Sequence, residues 1–487
     1  MKLRDKLGRL AAPVGSPTKR EARMQLDVAV EVEVQTGVVD ARGVRDDDED
    51  EWAARARLGE DIAARRGRIA NLRAQLDGMR VARPQPAAPV RRPVQKGDWC
   101  DDDIAPMPRA KIDPTLPGDV LDTALGALHR VLTVHAEDHR HGVADVIAAR
   151  VVHGPEVALL SLDASLADID FAHALYIDTE TTGLSGGSGT LPFLIGMAWF
   201  EGPCLHVEQL LLPKPGAEVP MLVRLRERLA SASAVVSYNG KSFDWPLLRT
   251  RFVMNRMTPP ALPAHLDLLH CARRVYKSRL GSVRLVCLEQ DLLGFERIDD
   301  IAGEAIPAMY LGYVRGMLSG SCLAPVVEHN RSDLVALPAL LGDIVRRFQA
   351  HSREDARDQL GFARVAARGA ELDRAIALAH AAAEADVRGV LSGSALQLLG
   401  ELRLKAGELE RAIDAFEGAI AASTSRVEAA RAHLALAKLH EHKTKRLDLA
   451  LRHAAETAAA EGEDESRRRV ARIVQRSARK QVGSPSA

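Results

Sequence analysis

The 487-residue chain has no excess of either charge, because 66 Lys and Arg stand against 66 Asp and Glu. That balance excludes the strong global field of many nucleic-acid binders, so any such binding has to be local. The five cysteines, Cys100, Cys204, Cys271, Cys287 and Cys322, form no CxxC pair and are odd in number. Neither a zinc site nor a disulfide framework is suggested, and a reducing cytoplasm is the simplest home. No apolar stretch follows the charges of Met1-Lys2-Leu3-Arg4-Asp5-Lys6. Nowhere does an apolar run approach the ~18 residues that a membrane span needs. These absences point to a soluble, unexported, cytoplasmic protein with no membrane partner.

The length exceeds what one hydrophobic core organises, so two or more domains are expected. Residues 1–110 read as a largely disordered arm: a mixed stretch with the acidic run Asp46-Asp47-Asp48-Glu49-Asp50-Glu51, one amphipathic helix over 52–80, and a Pro-rich linker over 82–97. Residues 111–350 form the second unit. From 171 onward, short apolar strands are punctuated by Gly and Pro: Ala172 to Ile177, Phe193 to Phe200, Leu205 to Leu212, Ala234 to Tyr238 and 264 to 269, with helices near 218–230 and 243–254 and filling the rest to about 348. Consecutive strands followed by alternating helix and strand describe an α/β sheet with flanking helices.

Residues 351–465 carry no convincing strand and contain a self-similar element over 369–376, 406–413 and 444–451. Leu372, Leu409 and Leu447 mark periods of 37 and 38, a little longer than the tetratricopeptide period of about 34. An all-α domain of tetratricopeptide-like repeats is expected, offering a surface for a protein partner. The basic tail, 466–487, holds seven Lys and Arg between Ser466 and Lys480 without one acid. It reads equally as a phosphate grip or a solubilising last helix.

Three short motifs carry chemistry. In Asp178-Thr179-Glu180, positions i and i+2 of a strand face one way, so both carboxylates project together at its end and repel unless a cation lies between them. A polar strand end without a ligand is the other reading. Asp244, in Asn239-Gly240-Lys241-Ser242-Phe243-Asp244, falls in a helix's first turn, as a site acid or as a helix-dipole partner. His329 and Asp333, in Glu328-His329-Asn330-Arg331-Ser332-Asp333, stand one turn apart on a helix and share a face, functional or merely solvated.

Together, in the order DxE, N-x3-F-D, H-x3-D, the motifs resemble the DEDD 3′–5′ exonuclease superfamily, and most closely the YprB-like ribonuclease H-like group. The resemblance spans about residues 115–345 and includes Leu175–Leu184, Gly189-Thr190, Phe193–Gly196, His265–Leu269, Leu288-Glu289, Leu292–Gly294 and Ile306–Tyr310. It implies a ribonuclease H-like mixed sheet and a metal-dependent nuclease acting on single-stranded DNA or RNA. By it, Asp178, Glu180, Asp244 and Asp333 would bind two Mg²⁺ or Mn²⁺ ions, and His329 would be the general base. Three residues separate His329 from Asp333, where the family's His variant usually has four, so His329 ranks below the four acids. Asn239 and Lys241 are candidates for a phosphate contact or for the turn alone. Asp267 reads as a structural acid, and the stretch Arg273, Arg274, Lys277, Arg279, Arg284 as a backbone track or a solvated face. The alternative to a nuclease is a non-catalytic nucleic-acid-binding adaptor whose repeats recruit proteins.

Overall fold

The structure, a computed structural model, describes residues 113–183, 189–350, 354–386 and 391–482. The expected arm helix, the Pro-rich linker and most of the loop after Glu180 lie outside the described residues. In chain order the described elements begin with a hairpin, β1 (Asp119–Thr123) and β2 (Gly126–His135), and a short ladder, β3 (Arg140–His141) with β4 (Ala144–Asp145). Helix α1 (Gly154–Ser161) leads to β5 (Leu175–Thr181), β6 (Pro192–Glu201) and β7 (Cys204–Leu211). Then come α2 (Val219–Ser231), β8 (Ala234–Ser237), α3 (Asp244–Met254), β9 (Ala264–Asp267), α4 (Leu268–Leu280), α5 (Ile306–Val314) and the long α6 (Ala324–Ala350).

These strands make a seven-stranded mixed sheet in the order β1-β2-β7-β6-β5-β8-β9. Strand β8 runs parallel to β5, and β9 parallel to β8, while the other neighbours are antiparallel. The sequence reading starts the sheet at β5. The structure adds the hairpin β1–β2, which pairs with β7 at the edge. Its period-2 signal is weak because β2 alternates half-buried and exposed residues and carries His129, Arg130 and His135. The first of the strands read from the sequence also shifts: residues 171–173 form a 3₁₀ turn, and β5 runs through the DxE motif to Thr181.

Side chains alternate across β5 as the two-residue period requires. Tyr176 enters one core with Leu334, Leu337 and Leu340 of α6. Leu175 and Ile177 enter the other, with Leu222 and Leu225 of α2 and Phe252 of α3. Both faces of the sheet are therefore covered, and β6 and the first three residues of β5 read as apolar runs.

The helices that follow are α7 (Ala356–Arg368), α8 (Leu372–Ala385), α9 (Ser392–Lys405), α10 (Leu409–Ala422), α11 (Arg426–Leu439), α12 (Leu447–Ala454) and α13 (Glu463–Val482). The repeat-marking leucines Leu372, Leu409 and Leu447 each open a helix. Two residues before each, Ala370, Gly407 and Lys445 adopt positive φ of 64°, 80° and 58°, so the repeat is one helix–αL turn–helix device used three times. The first core continues through Phe362, Leu378 and Leu399, so these helices pack on the sheet unit through apolar contact. A cavity of about 630 Å³ opens beside Gln397, Phe416 and Arg431. Much of the basic tail is used internally: Arg469 pairs with Glu461, Arg472 and Arg476 with the buried Glu441, and Ile473 is buried. Among the described residues no helix is long and apolar enough to cross a membrane.

Candidate metal centre

Asp178 and Glu180 lie two residues apart on β5, half-buried, where a shift of register against β6 falls between Glu180 and Thr181. Such bulges re-aim side chains beside sites. Helix α6 brings His329 and Asp333 to the same place. Among the described residues, Glu180, His329 and Asp333 offer ligand atoms that all lie within 4.8 Å of one another.

Asp178 and Asp244 flank that group, each held by a neighbour. Asn330 Nδ2 donates to Asp178 Oδ2 at 2.7 Å. Thr179, on the opposite face of β5, donates to Asp244 Oδ1. Asp244 sits at the start of α3, and the turn before it is tight: a Cβ on Gly240 would meet Ser237 Oγ at 2.4 Å and Asp244 Oδ2 at 3.1 Å. Asn239 takes the left-handed conformation there, φ 67°, which Asn tolerates better than most residues. Asp267 fixes this turn, accepting from the backbone N–H of Asn239 at 2.8 Å and of Lys241 at 3.2 Å, and capping α4 through Leu269 N. It is a structural acid, as expected from its position. The Lys241 ammonium lies 3.5 Å from Asp163, and Asn239 is exposed beside the turn.

The carboxyls are packed tightly enough to change one another's titration. Burial, then the charges of Asp333, Asp244 and Glu180, hold Asp178 well above its ordinary pKa, against the pull of the Asn330 bond. Burial, Asp333, Asp244 and Asp300 push Glu180 up to about 9, with Arg297 opposing. Burial raises Asp244 to about 6 against its hydrogen bond from Thr179. Asp333 is raised by burial, and the charges of Arg297 and His329 work against that. Mutual repulsion among recessed carboxylates is what a bound cation would relieve. Hard oxygen donors of this kind suit a hard divalent cation.

Further residues complete the centre, none of them given a role by the motifs. Asn330 is fully buried; its Oδ1 accepts from Gln209 Nε2 at 2.9 Å, and Gln209 also donates to Val327 O at 2.7 Å. Asp178, Gly196 and Gln209 form one row across β5, β6 and β7. A Cβ on Gly196 would meet Asn330 Oδ1 at 2.3 Å and Leu334 Cδ1 at 2.6 Å, so glycine is what lets α6 approach the sheet and place Asn330 on Asp178. Asp300 Oδ1 lies 2.7 Å from His329 Nδ1. Arg297 lies farther from the same nitrogen, at 3.5 Å, and Nε2 stands 3.7 Å from Asp333 Oδ2, so the ring is held between two carboxylates. Arg297 donates to Asp333 and lies 2.7 Å from the fully buried Glu289. Glu289 in turn binds His141 at 2.7 Å, whose ring stacks on Phe295. The three-residue spacing thus leaves His329 inside the tight ligand group, beside Glu180 and Asp333.

The RNase_H superfamily model matches residues 175–345. The chain is also similar to YprB of Bacillus subtilis (strain 168), an uncharacterized protein. The two are 32% identical over 308 residues, which cover 61% of this chain and 73% of the relative.

Proposed function

The chain belongs to the YprB-like group of the RNase_H superfamily, and from that premise we propose that it is a metal-dependent 3′–5′ exonuclease on single-stranded DNA or RNA. The observation that carries this reading is the convergence of Glu180, His329 and Asp333 within 4.8 Å, flanked by two further acids whose titration the cluster perturbs. Two divalent cations held by Asp178, Glu180, Asp244 and Asp333 would lower the pKa of the attacking water and neutralise the charge building on the leaving oxygen.

The chain's own residues supply the rest. Asn330 and Thr179 fix the rotamers of Asp178 and Asp244 through one hydrogen bond each, as the outer partners of ligand carboxylates do. His329, oriented by Asp300 at Nδ1, takes the water's proton at Nε2 as oxygen attacks phosphorus. The P–O3′ bond breaks, the strand keeps its 3′ oxygen, which takes a proton from solvent, and a 5′-mononucleotide leaves. Arg297, paired with Asp333, opposes the burial that raises that carboxyl's pKa.

The test is degradation of 5′-labelled single-stranded DNA and RNA with Mg²⁺ or Mn²⁺, beside EDTA and Asp178→Asn. Stepwise shortening that both controls abolish supports the exonuclease. Internal cuts would move the assignment to an endonuclease. Binding without cleavage would leave the adaptor.

A further inference from the structure

The basic stretch after β9 does not act as one face. Arg279 pairs with Asp358 at 2.7 Å, and Arg274 donates to Leu160 O at 3.4 Å, so both serve the fold. Arg273, Lys277 and Arg284 instead rim a cavity of about 590 Å³ whose floor includes Tyr238, Leu269 and Leu285. That volume falls in the usual range of ligand cavities, about 300–1,000 Å³. All three cations are exposed, and among the described residues none forms an ion pair with a carboxylate. Asp267, close by, spends its oxygens on three backbone N–H groups. The Tyr238 hydroxyl donates to Val283 O, so this residue offers the cavity its ring. Asn239 forms part of the wall, and the next residue, Gly240, stands against Asp244. The cavity therefore opens one residue away from the acidic centre.

An apolar floor under a rim of cations that carry no carboxylate partner among the described residues, Lys277 donating to the backbone oxygen of Gly281, is complementary to a nucleotide, which has a flat apolar base and an anionic backbone. We propose that this cavity is the strand track of the enzyme: a base rests against Tyr238, Leu269 and Leu285, and Arg273, Lys277 and Arg284 hold backbone phosphates. The inference rests on the nuclease reading for its direction. At a 3′ end only one nucleotide lies beyond the scissile phosphate, so the track carries the strand on its 5′ side.

The experiment measures binding apart from cleavage. Full-length protein carrying Asp178→Asn is titrated with a fluorescein-labelled single-stranded 20-mer in EDTA across a salt series. The same is done after adding Arg273→Glu/Lys277→Glu/Arg284→Glu, after Tyr238→Leu, and after Arg467→Glu/Arg468→Glu on α13. Melting curves establish that each variant is folded, and the milder Arg273→Gln/Arg284→Gln replaces the triple if that one is not. The cavity triple is expected to weaken binding at least tenfold and to flatten the salt slope by about 2, given roughly 0.7 per phosphate for single strands. Tyr238→Leu weakens binding with little change of slope. Wild-type affinity and slope in the folded cavity variants, or a loss confined to the α13 variant, overturns the proposal. Binding through the cavity by a protein that never cleaves would sink the nuclease reading alone. With Asp178 left intact and Mn²⁺ present, cleavage with an unchanged KM in the cavity triple would sink the track alone.

Discussion

Asn330 reaches Asp178 from a helix that can lie on the sheet only because residue 196 is glycine: the amide stands 2.7 Å from the carboxylate, and a methyl group at 196 would lie 2.3 Å from the same Asn330 side chain. Asn330 is therefore a positioning residue. Asn330→Ala leaves the Gln209 amide and Asp178 short of partners, at a cost of about 1–3 kcal/mol, and lowers turnover roughly 10–100-fold, as loss of a ligand's outer partner does. Gly196→Ala forces the helix off the sheet and costs about 1–3 kcal/mol by overpacking. Urea unfolding and single-turnover rates check both, and wild-type values for either variant contradict the assignment.

Asp300 stands 2.7 Å from His329 Nδ1, and in the proposed mechanism it orients the ring so that Nε2 serves as the base. Asp300→Asn is expected to reduce the rate about 10–100-fold and to displace the acid limb of the pH–rate profile. Asp300→Glu restores part of both. A rate loss with an unmoved profile would reduce Asp300 to a structural role.

Removing divalent ions exposes the repulsion in the cluster. Glu180 moves from an ordinary 4.5 to about 9 and Asp244 from 3.8 to about 6, so the folded chain binds more protons than the unfolded one across that window. Stability then falls as pH rises. In EDTA, Tm should decline from pH 7 toward pH 9, above the range in which His135, His265 and His453 titrate, and Mg²⁺ should restore more at the upper end than at the lower. A Tm that rises with pH in EDTA contradicts the arrangement.

The motif residues were legible because each has a local signal: the two-residue period at Asp178 and Glu180, the helix start at Asp244, the one-turn spacing of His329 and Asp333. Their partners were not. Asn330 sits inside H-x3-D as an apparent spacer, and its contacts come from Gly196 and Gln209 on other strands. Asp300 and Arg297 belong to a loop without periodicity and gain meaning only when α6 packs beside it. The hairpin β1–β2 escaped notice because its mixed, half-exposed residues carry no clean alternation. The basic stretch was visible, but which of its members face solvent is decided by Asp358 and Leu160 far along the chain.

The repeat turns give a prediction independent of chemistry. Ala370, with φ 64°, occupies the position that glycine takes at Gly407, with φ 80°. The left-handed region costs a non-glycine residue roughly 1–2 kcal/mol, so Ala370→Gly should raise stability by up to about 1 kcal/mol after the entropy it adds to the unfolded chain. Gly407→Ala should lower it by a similar amount. Thermal melts of the two variants test the turn's conformation, and shifts of the opposite sign refute it.

Whether the acidic cluster is a two-ion hydrolytic centre is decided by Mn²⁺ titration in a calorimeter at pH 7, in two buffers of different ionisation enthalpy. Two ions per chain should bind with release of about one proton or more, because Glu180, at about 9 without ions, has to ionise. Binding should be lost in Asp178→Asn and Asp333→Asn. No saturable binding in the wild-type protein, or binding that releases no proton and survives both substitutions, would contradict it.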